Sequence, residues 1–350
     1  MSPRYEIRGA TLADLDGLYE LSRFLDSVNL PHNREDIADI LKRSEDSFSG
    51  ATQNPKNRQY VFVLDDHEKQ RAVGTSMVFG QLGRRGVPYI YLDVREEEKY
   101  SSTLDKHFVH QVLRIGYSFN GPTEIGGLVM HPEYRQAPER LGMLISYVRF
   151  LWVAMHRQWF QDELLAELMP PLKEDGTSVL WEAVGRHFTD LSYQEADKLS
   201  KRNKEFIRGL FPDGDIYASL LPKEAQAVIG EVGPQTKGVE KMLRRIGFRY
   251  ADRVDPFDGG PHFVAPTGEV TLIRDALEVT LGGGSAPQVM AKTAARAYLL
   301  AAEWNAAPWF RAERVDGVLD GAVLHVRGPG APAWVSAEPR PLRMWALPLP

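Results

Sequence analysis

The sequence contains no cysteine. That excludes disulfides, a thiolate nucleophile, iron–sulfur clusters and cysteine-ligated zinc in one step. It also lacks a long apolar run. The most apolar stretch, residues 141–155, carries Arg149 near its middle and is too short to span a bilayer. Positive charge is not in excess: 42 Lys and Arg stand against 47 Asp and Glu, a net charge of -5, so general polyanion binding is not expected. The segment Met1 to Arg8 is polar and has no apolar core of a signal peptide. These absences lead us to expect a cytoplasmic, soluble protein with no membrane or nucleic-acid partner. What is present is an ordinary globular composition, 43% apolar and 25% charged, long enough for one large domain or two to three smaller ones.

Periodicity gives the order of elements. Residues 5–9 alternate and predict a strand. Thr11 to Asp14 reads as an N-cap opening a helix through about Arg23. Ile37, Ile40 and Leu41 lie at helical spacing within residues 35–47. Residues 59–64 (QYVFVL) and 72–79 predict a hairpin, with Asp65-Asp66 as its turn. Residues 124–130 (EIGGLVM) predict a strand ended by His131-Pro132, then a polar loop and a long helix over 141–157. Residues 163–169 fit a strand or a helix end. Segments 179–188 and 238–250 share a plan, a short helix closed by Gly and an aromatic that opens a strand. The plan is common in itself and also fits a partial internal duplication. Residues 281–287 (LGGGSAP) read as a linker. Beyond it, 288–302 has helix-forming residues, with a strand possible for part of it, and 321–327 and 343–347 read as strands.

Chemistry is expected first where strand 124–130 runs into the helix. Arg135 and Arg140 lie in the loop, and Leu141, Gly142 and Met143 open the helix. Unpaired N–H groups there, with the helix dipole, suit an anion, and Gly142 would admit a pyrophosphate to the backbone. A plain β–α connection with solvated arginines fits the same residues. His107 and His110 could share a helix face, but no carboxylate pattern accompanies them and no metal site is expected.

The order β-α-α-β-β, then strand, charged loop, long helix, strand and helix–Gly–Phe–strand, resembles the GNAT acyltransferases. A second resemblance is more specific. Residues 229–236 (IGEVGPQT), Ile246 to Tyr250, and Asp255-Pro256-Phe257-Asp258-Gly259-Gly260-Pro261 resemble the arginine N-succinyltransferase family, as do residues 60–64 and 172–188. The resemblance covers nearly the whole chain and implies an α/β (α+β) fold. That fold is a GNAT-type mixed central sheet with flanking helices, partly duplicated, plus a small C-terminal β-rich module. The segments expected are an acyl-CoA-binding domain over 1–197, a second half over 198–280 completing the acceptor site, and the module over 288–350.

The activity implied is transfer of an acyl group from acyl-CoA, succinyl-CoA in the family, to the amine of arginine or a related small amine. Association into a homo-oligomer is implied as well. The family's acyl-CoA contact falls on Leu128, beside Val129 and Met130, and its phosphate loop on residues 134–143. The family's proton-donor histidine lies before Pro-Gln-Thr, where this chain has Gly233. His131, His187 and His262 are possible replacements, and His187 and His262 are taken as the catalytic candidates. Asp258, with Gly259 and Gly260, is the candidate binder of the amine substrate, though Asp-Gly also suits a turn. Two alternatives stay open: a donor carried on aminoacyl-tRNA or a carrier protein, and a non-catalytic CoA-binding member.

Overall fold

The computed structural model describes residues 4–24, 29–200, 202–282, 294–327 and 331–350. It is mixed α/β, the fold class expected. In chain order the strands are β1 Tyr5–Gly9, β2 Gln59–Asp66, β3 Arg71–Phe79, β4 Tyr89–Ser101, β5 Lys106–Ser118, β6 Thr123–Met130, β7 Glu163–Glu167, β8 Ile216–Tyr217, β9 Arg249–Val254, β10 Pro261–Pro266, β11 Leu277–Leu281, β12 Arg296–Glu303, β13 Phe310–Asp320, β14 Val323–Arg327 and β15 Arg343–Pro348. The chain forms two compact units, each discontinuous in sequence. The first comprises Met1–Gly80, Ile125–Gln161 and Thr267–Pro350; the second comprises Gln81–Glu124 and Asp162–Pro266.

In the first unit, β1, β2, β3 and the later part of β6 lie side by side. Helices α1 (Leu15–Leu21) and α2 (Arg34–Phe48) cover them. Asn33 caps α2 by accepting from the N–H groups of Glu35 and Asp36 at 2.9 and 3.0 Å. The apolar stripe of α2 (Ile37, Ile40, Leu41) meets Val61, Val63 and Met77 of the sheet in one buried cluster. Asp65 and Asp66 do not form the turn. They end β2, and the turn falls on 67–70. Each carboxylate is taken up sideways: Asp65 accepts from Arg8 at 2.6 Å, and Asp66 from Arg4 and Tyr134 at 3.0 and 2.8 Å. That fixes both residues in extended backbone.

Helix α3 (Leu141–Met155) is buried nearly all round, which explains its apolar composition. Its Arg149 is 2% exposed and donates to Ser146 Oγ at 2.7 Å. Burial alone brings that guanidinium down to about 9. No helix among the described residues is long and apolar enough to cross a membrane.

Strands β12, β15, β11, β14 and β13 follow one another, and β12 also pairs β13, so these five close into a small barrel. Val279, Tyr298, Leu300, Val315, Leu324 and Trp334 fill it. The linker expected at 281–287 and the first part of the segment 288–302 lie largely outside the described residues. Where that segment is described it is the strand β12, not a helix, and it pairs on both sides.

Glu313 of β13 is 5% exposed and accepts from Trp334 Nε1 at 2.5 Å. Burial, aided by Glu6, raises its carboxyl to about 7. A carboxyl raised in the folded state stabilises fully below its unfolded pKa near 4.5, and that stability is lost as pH rises through about 7. Glu313→Gln keeps an acceptor for Trp334 and removes the titration. It should therefore gain on the order of 2 kcal/mol over the parent at pH 8, and little at pH 4.5, in urea unfolding. An equal effect at both pH values would contradict this origin.

In the second unit the order is β7-β10-β9-β4-β5-β8, with Thr123 and Glu124 of β6 pairing parallel to Leu164 and Leu165 of β7. The expected partial duplication predicts a strand after Gly185. The structure instead has two short helices, α4 (Val179–Ala183) and α5 (Gly185–Thr189), with Gly185 inside the helical run. A Cβ there would lie 2.3 Å from the Trp181 ring, so this glycine serves packing. The second segment is as expected. After helix Lys237–Arg245, Gly247 takes φ 111° and β9 follows. The N–H groups of Gly247 and Phe248 donate back to Arg244 and Leu243, closing the helix. His107 and His110 lie on β5 rather than a helix, so at this spacing they face opposite sides of the strand.

Candidate functional site

Two places carry the expected residues, one in each unit. In the first unit, Gly127 inside β6 has φ 55°, the left-handed conformation found in bulges. A Cβ there would also meet Met77 Cγ at 2.7 Å, so glycine is required twice over. Leu128, Val129 and Met130 follow, and the His131 N–H donates to Val73 at 2.9 Å. Successive turns then carry the chain from His131 to Arg140. Arg135 is exposed and its Nε donates to the Met130 carbonyl at 3.2 Å.

Arg140 sits left-handed (φ 55°, ψ 46°) as the residue before α3. Its carbonyl accepts from Met143 and Leu144 at 2.9 and 3.2 Å, so the helix is formed from its first turn. Leu141 anchors this end at 1% exposure, and the space around the Gly142 Cβ position is open to 4 Å. The first N–H groups of a helix have no carbonyl ahead of them. Here they stand beside the exposed Arg140 and an open glycine, an arrangement that can hold an anion.

In the second unit, β7 and β10 are antiparallel with His262 opposite Glu167, which sets both side chains on one face. His262 is fully buried. Its Nδ1 lies 2.9 Å from the Tyr89 hydroxyl, and its Nε2 lies 3.6 Å from Glu167 Oε1, too far for a hydrogen bond. Nε2 has no hydrogen-bond partner among the described residues. Asp255 completes the group: one ligand atom each from Glu167, Asp255 and His262 lies within 4.8 Å of the others.

Burial is the largest cause of every shift in this group. It brings His262 down to about 4 and raises Glu167, Asp255 and Asp258. Repulsion from Glu167 adds to the rise at Asp255, and repulsion from Asp255 to that at Asp258. Glu167 keeps a third of its side chain accessible, so its carboxylate forms the open edge of an otherwise dense site.

Asp258, Gly259 and Gly260 shape this site from below. Asp258 Oδ1 accepts from the Gly260 N–H at 2.8 Å, and the Gly260 carbonyl accepts from Asp255 at 2.9 Å. The Gly259 N–H donates to the Asp255 carbonyl, and Gly259 has φ 82°. Asp258 thus performs the turn role that its Asp-Gly context suggested. Gly233 packs on backbone. Its N–H donates to Met169 at 2.8 Å, and a Cβ would lie 2.7 Å from the Pro170 carbonyl oxygen. A histidine therefore cannot be put back there without moving main chain.

His187 is exposed on α5, and its side chain enters none of the described hydrogen bonds or ring contacts. His131 is buried against Phe24 and Tyr134, and burial lowers its pKa. Glu167, Asp255 and Tyr89 were not singled out from sequence. Asp255 lay inside the distinctive DPFDGGP stretch, and Glu167 interrupts an apolar run; both were available signals.

Comparison with known proteins covers both places. Residues 5–272 match the family model described as arginine N-succinyltransferase beta subunit. The arginine N-succinyltransferase of Yersinia pestis (strain Pestoides F) is 33% identical over 279 residues, 79% of each chain. The arginine N-succinyltransferase subunit beta of Pseudomonas aeruginosa is 34% identical over 282 residues, 80% of this chain and 82% of that one. A solved structure, arginine/ornithine succinyltransferase subunit AI from Pseudomonas aeruginosa, superposes with TM-score 0.79 at 27% identity, covering 99% of this chain and 98% of that one. On a match that runs through the helix start at Gly142 and the turn at Gly260 alike, this chain belongs to the arginine N-succinyltransferase family.

Proposed function

We propose that this chain is a cytoplasmic N-acyltransferase that moves a succinyl or similar acyl group from CoA to the amine of arginine or a related small amine. Family membership over residues 5–272 is the observation that carries the reading. The geometry of the first unit supports it. The N–H groups at Leu141 and Gly142, ahead of the Met143 N–H that already donates to the Arg140 carbonyl, would hold the CoA phosphates together with Arg140 and Arg135. Main-chain N–H groups along Leu128–Met130, after the left-handed Gly127, would face the acyl carbonyl.

The neutral amine attacks the thioester carbonyl directly, the C–S bond breaks as the amide forms, and the nitrogen gives up its proton to solvent. No protein nucleophile is needed, which suits a chain without cysteine. The departing thiol has an ordinary pKa near ~8.5, so it leaves as thiolate with little acid assistance and takes its proton from solvent. This accommodates Gly233. His262 is uncharged at neutral pH and serves as a ligand-binding residue rather than a proton donor. Subunit association is proposed as well, to be checked by light scattering.

The test is thiol release from succinyl-CoA, acetyl-CoA and other acyl-CoAs with arginine, ornithine and polyamines. Release that needs both succinyl-CoA and arginine is expected. Silence with every pair, together with no thermal shift on adding CoA, would overturn the enzyme reading and leave a donor on a carrier or a non-catalytic role.

A further inference from the structure

We propose that Glu167, Asp255 and His262 form a binding site for one divalent metal ion of the zinc class. The site lies within the second unit, and the inference does not depend on the acyl-transfer reading. The first argument is convergence. Zinc bonds nitrogen and oxygen ligands at about 2.0–2.2 Å, so ligand atoms around a tetrahedral ion sit roughly 3.3–3.6 Å apart. His262 Nε2 and Glu167 Oε1 are 3.6 Å apart, and the Asp255 oxygen is within 4.8 Å of both. Three potential ligand atoms this close together suit a single ion. A planar guanidinium bonded by three acceptors would spread them around its edge.

The second argument is the imidazole. A buried nitrogen without a partner is destabilising. His262 Nε2 is such an atom, and it points into the two carboxylates. Its other nitrogen is occupied by the Tyr89 hydroxyl at 2.9 Å. A metal-bound histidine is ordinarily held this way: the second nitrogen is fixed by an outer partner and the first presents its lone pair. The carboxylates repel one another in this desolvated place, and a cation would relieve that. Glu167 at the accessible edge gives an entry path, and three protein ligands leave a position for water or for a carboxylate or amine of a small molecule.

The experiment titrates Co²⁺, then Zn²⁺ in competition, into the full chain after chelator treatment, reading visible absorption, stoichiometry and thermal shift. One ion per chain is expected, with thermal stabilisation. Glu167→Gln, at the accessible edge, should weaken binding by about 100-fold, and Tyr89→Phe by about 10-fold through the lost outer partner. His262→Gln should abolish it; should that buried variant fail to fold, the other two decide. No uptake by the parent chain overturns the proposal, and so does uptake unaltered in Glu167→Gln. Stabilisation by arginine or free guanidinium without metal uptake also overturns it, and would assign the cluster to a cationic side chain instead.

Discussion

Gly260→Ala is expected to destabilise the second unit by about 3 kcal/mol, at the upper end of what overpacking a tight site produces. The added methyl would sit 2.3 Å from the Leu168 carbonyl oxygen, 2.9 Å from Asp258 Oδ1 and 3.1 Å from Pro170 Cδ. The first of these is backbone, and it cannot turn away. Leu168 is held in place by its own N–H donating to the Pro261 carbonyl at 3.1 Å, at the end of the β7–β10 ladder. Relief therefore requires opening the ladder that sets His262 against Glu167. The substitution also threatens Asp255 and Asp258, both of which are hydrogen-bonded to the Gly260 main chain. Urea unfolding checks the size of the effect. Gly238→Ala in the same unit is the control. Its Cβ meets nothing within 4 Å and it lies inside a helix, so a gain of up to about 1 kcal/mol is expected. If both alanines behaved alike, the steric account of the Gly-Gly pair would fail.

Much of the first unit was legible because burial writes itself into the sequence. The apolar positions of α2 repeat at helical spacing, and β2, buried on both of its faces, reads as the unbroken apolar run Tyr60 to Leu64. The hairpin β4–β5 escaped for the opposite reason. From Arg95 onward its outer half is largely exposed, so Arg95-Glu96-Glu97-Glu98-Lys99 carries no apolar alternation, although it pairs residue for residue with β5. Segment 179–188 misled because a helix followed by Gly and an aromatic fits two outcomes; the Trp181 ring lying over Gly185 decides between them, and that contact is tertiary. The same division runs through the candidate sites. The candidate anion-binding loop is local, a strand end and a helix start, and its residues could be named from spacing. The acidic cluster is not local. Pairing of β7 with β10 brings Glu167 to His262, and β4 supplies Tyr89 from far earlier in the chain. The turn beneath it, Asp255 to Gly260, and the break that Glu167 makes in an apolar run left marks in the sequence, but neither says which residues meet.

Gly142→Asp should leave the fold intact and abolish most of the affinity for CoA. The position tolerates a side chain: nothing lies within 4 Å of its Cβ, and Leu141 beside it carries the anchoring contact. A carboxylate in the first turn of α3 is favourable to the helix itself, by about 0.3–1 kcal/mol through the helix dipole. The thermal midpoint should therefore hold or rise slightly. A phosphate held at the same N–H groups meets the new charge at close range. At ~5 Å and an effective dielectric of about 20, like charges repel by about 3 kcal/mol, which corresponds to roughly 100-fold in Kd. Arg140→Ala removes an exposed partner and should weaken CoA more modestly, by about 5- to 10-fold, with greater sensitivity to salt in the parent than in the variant. Calorimetric titration with CoA reads all three proteins, and Gly142→Ala separates charge from bulk. If the aspartate variant binds CoA as the parent does, the start of α3 is not the phosphate site. If alanine weakens binding as much as aspartate, close approach of the cofactor to the bare backbone is the dominant contribution there rather than electrostatics.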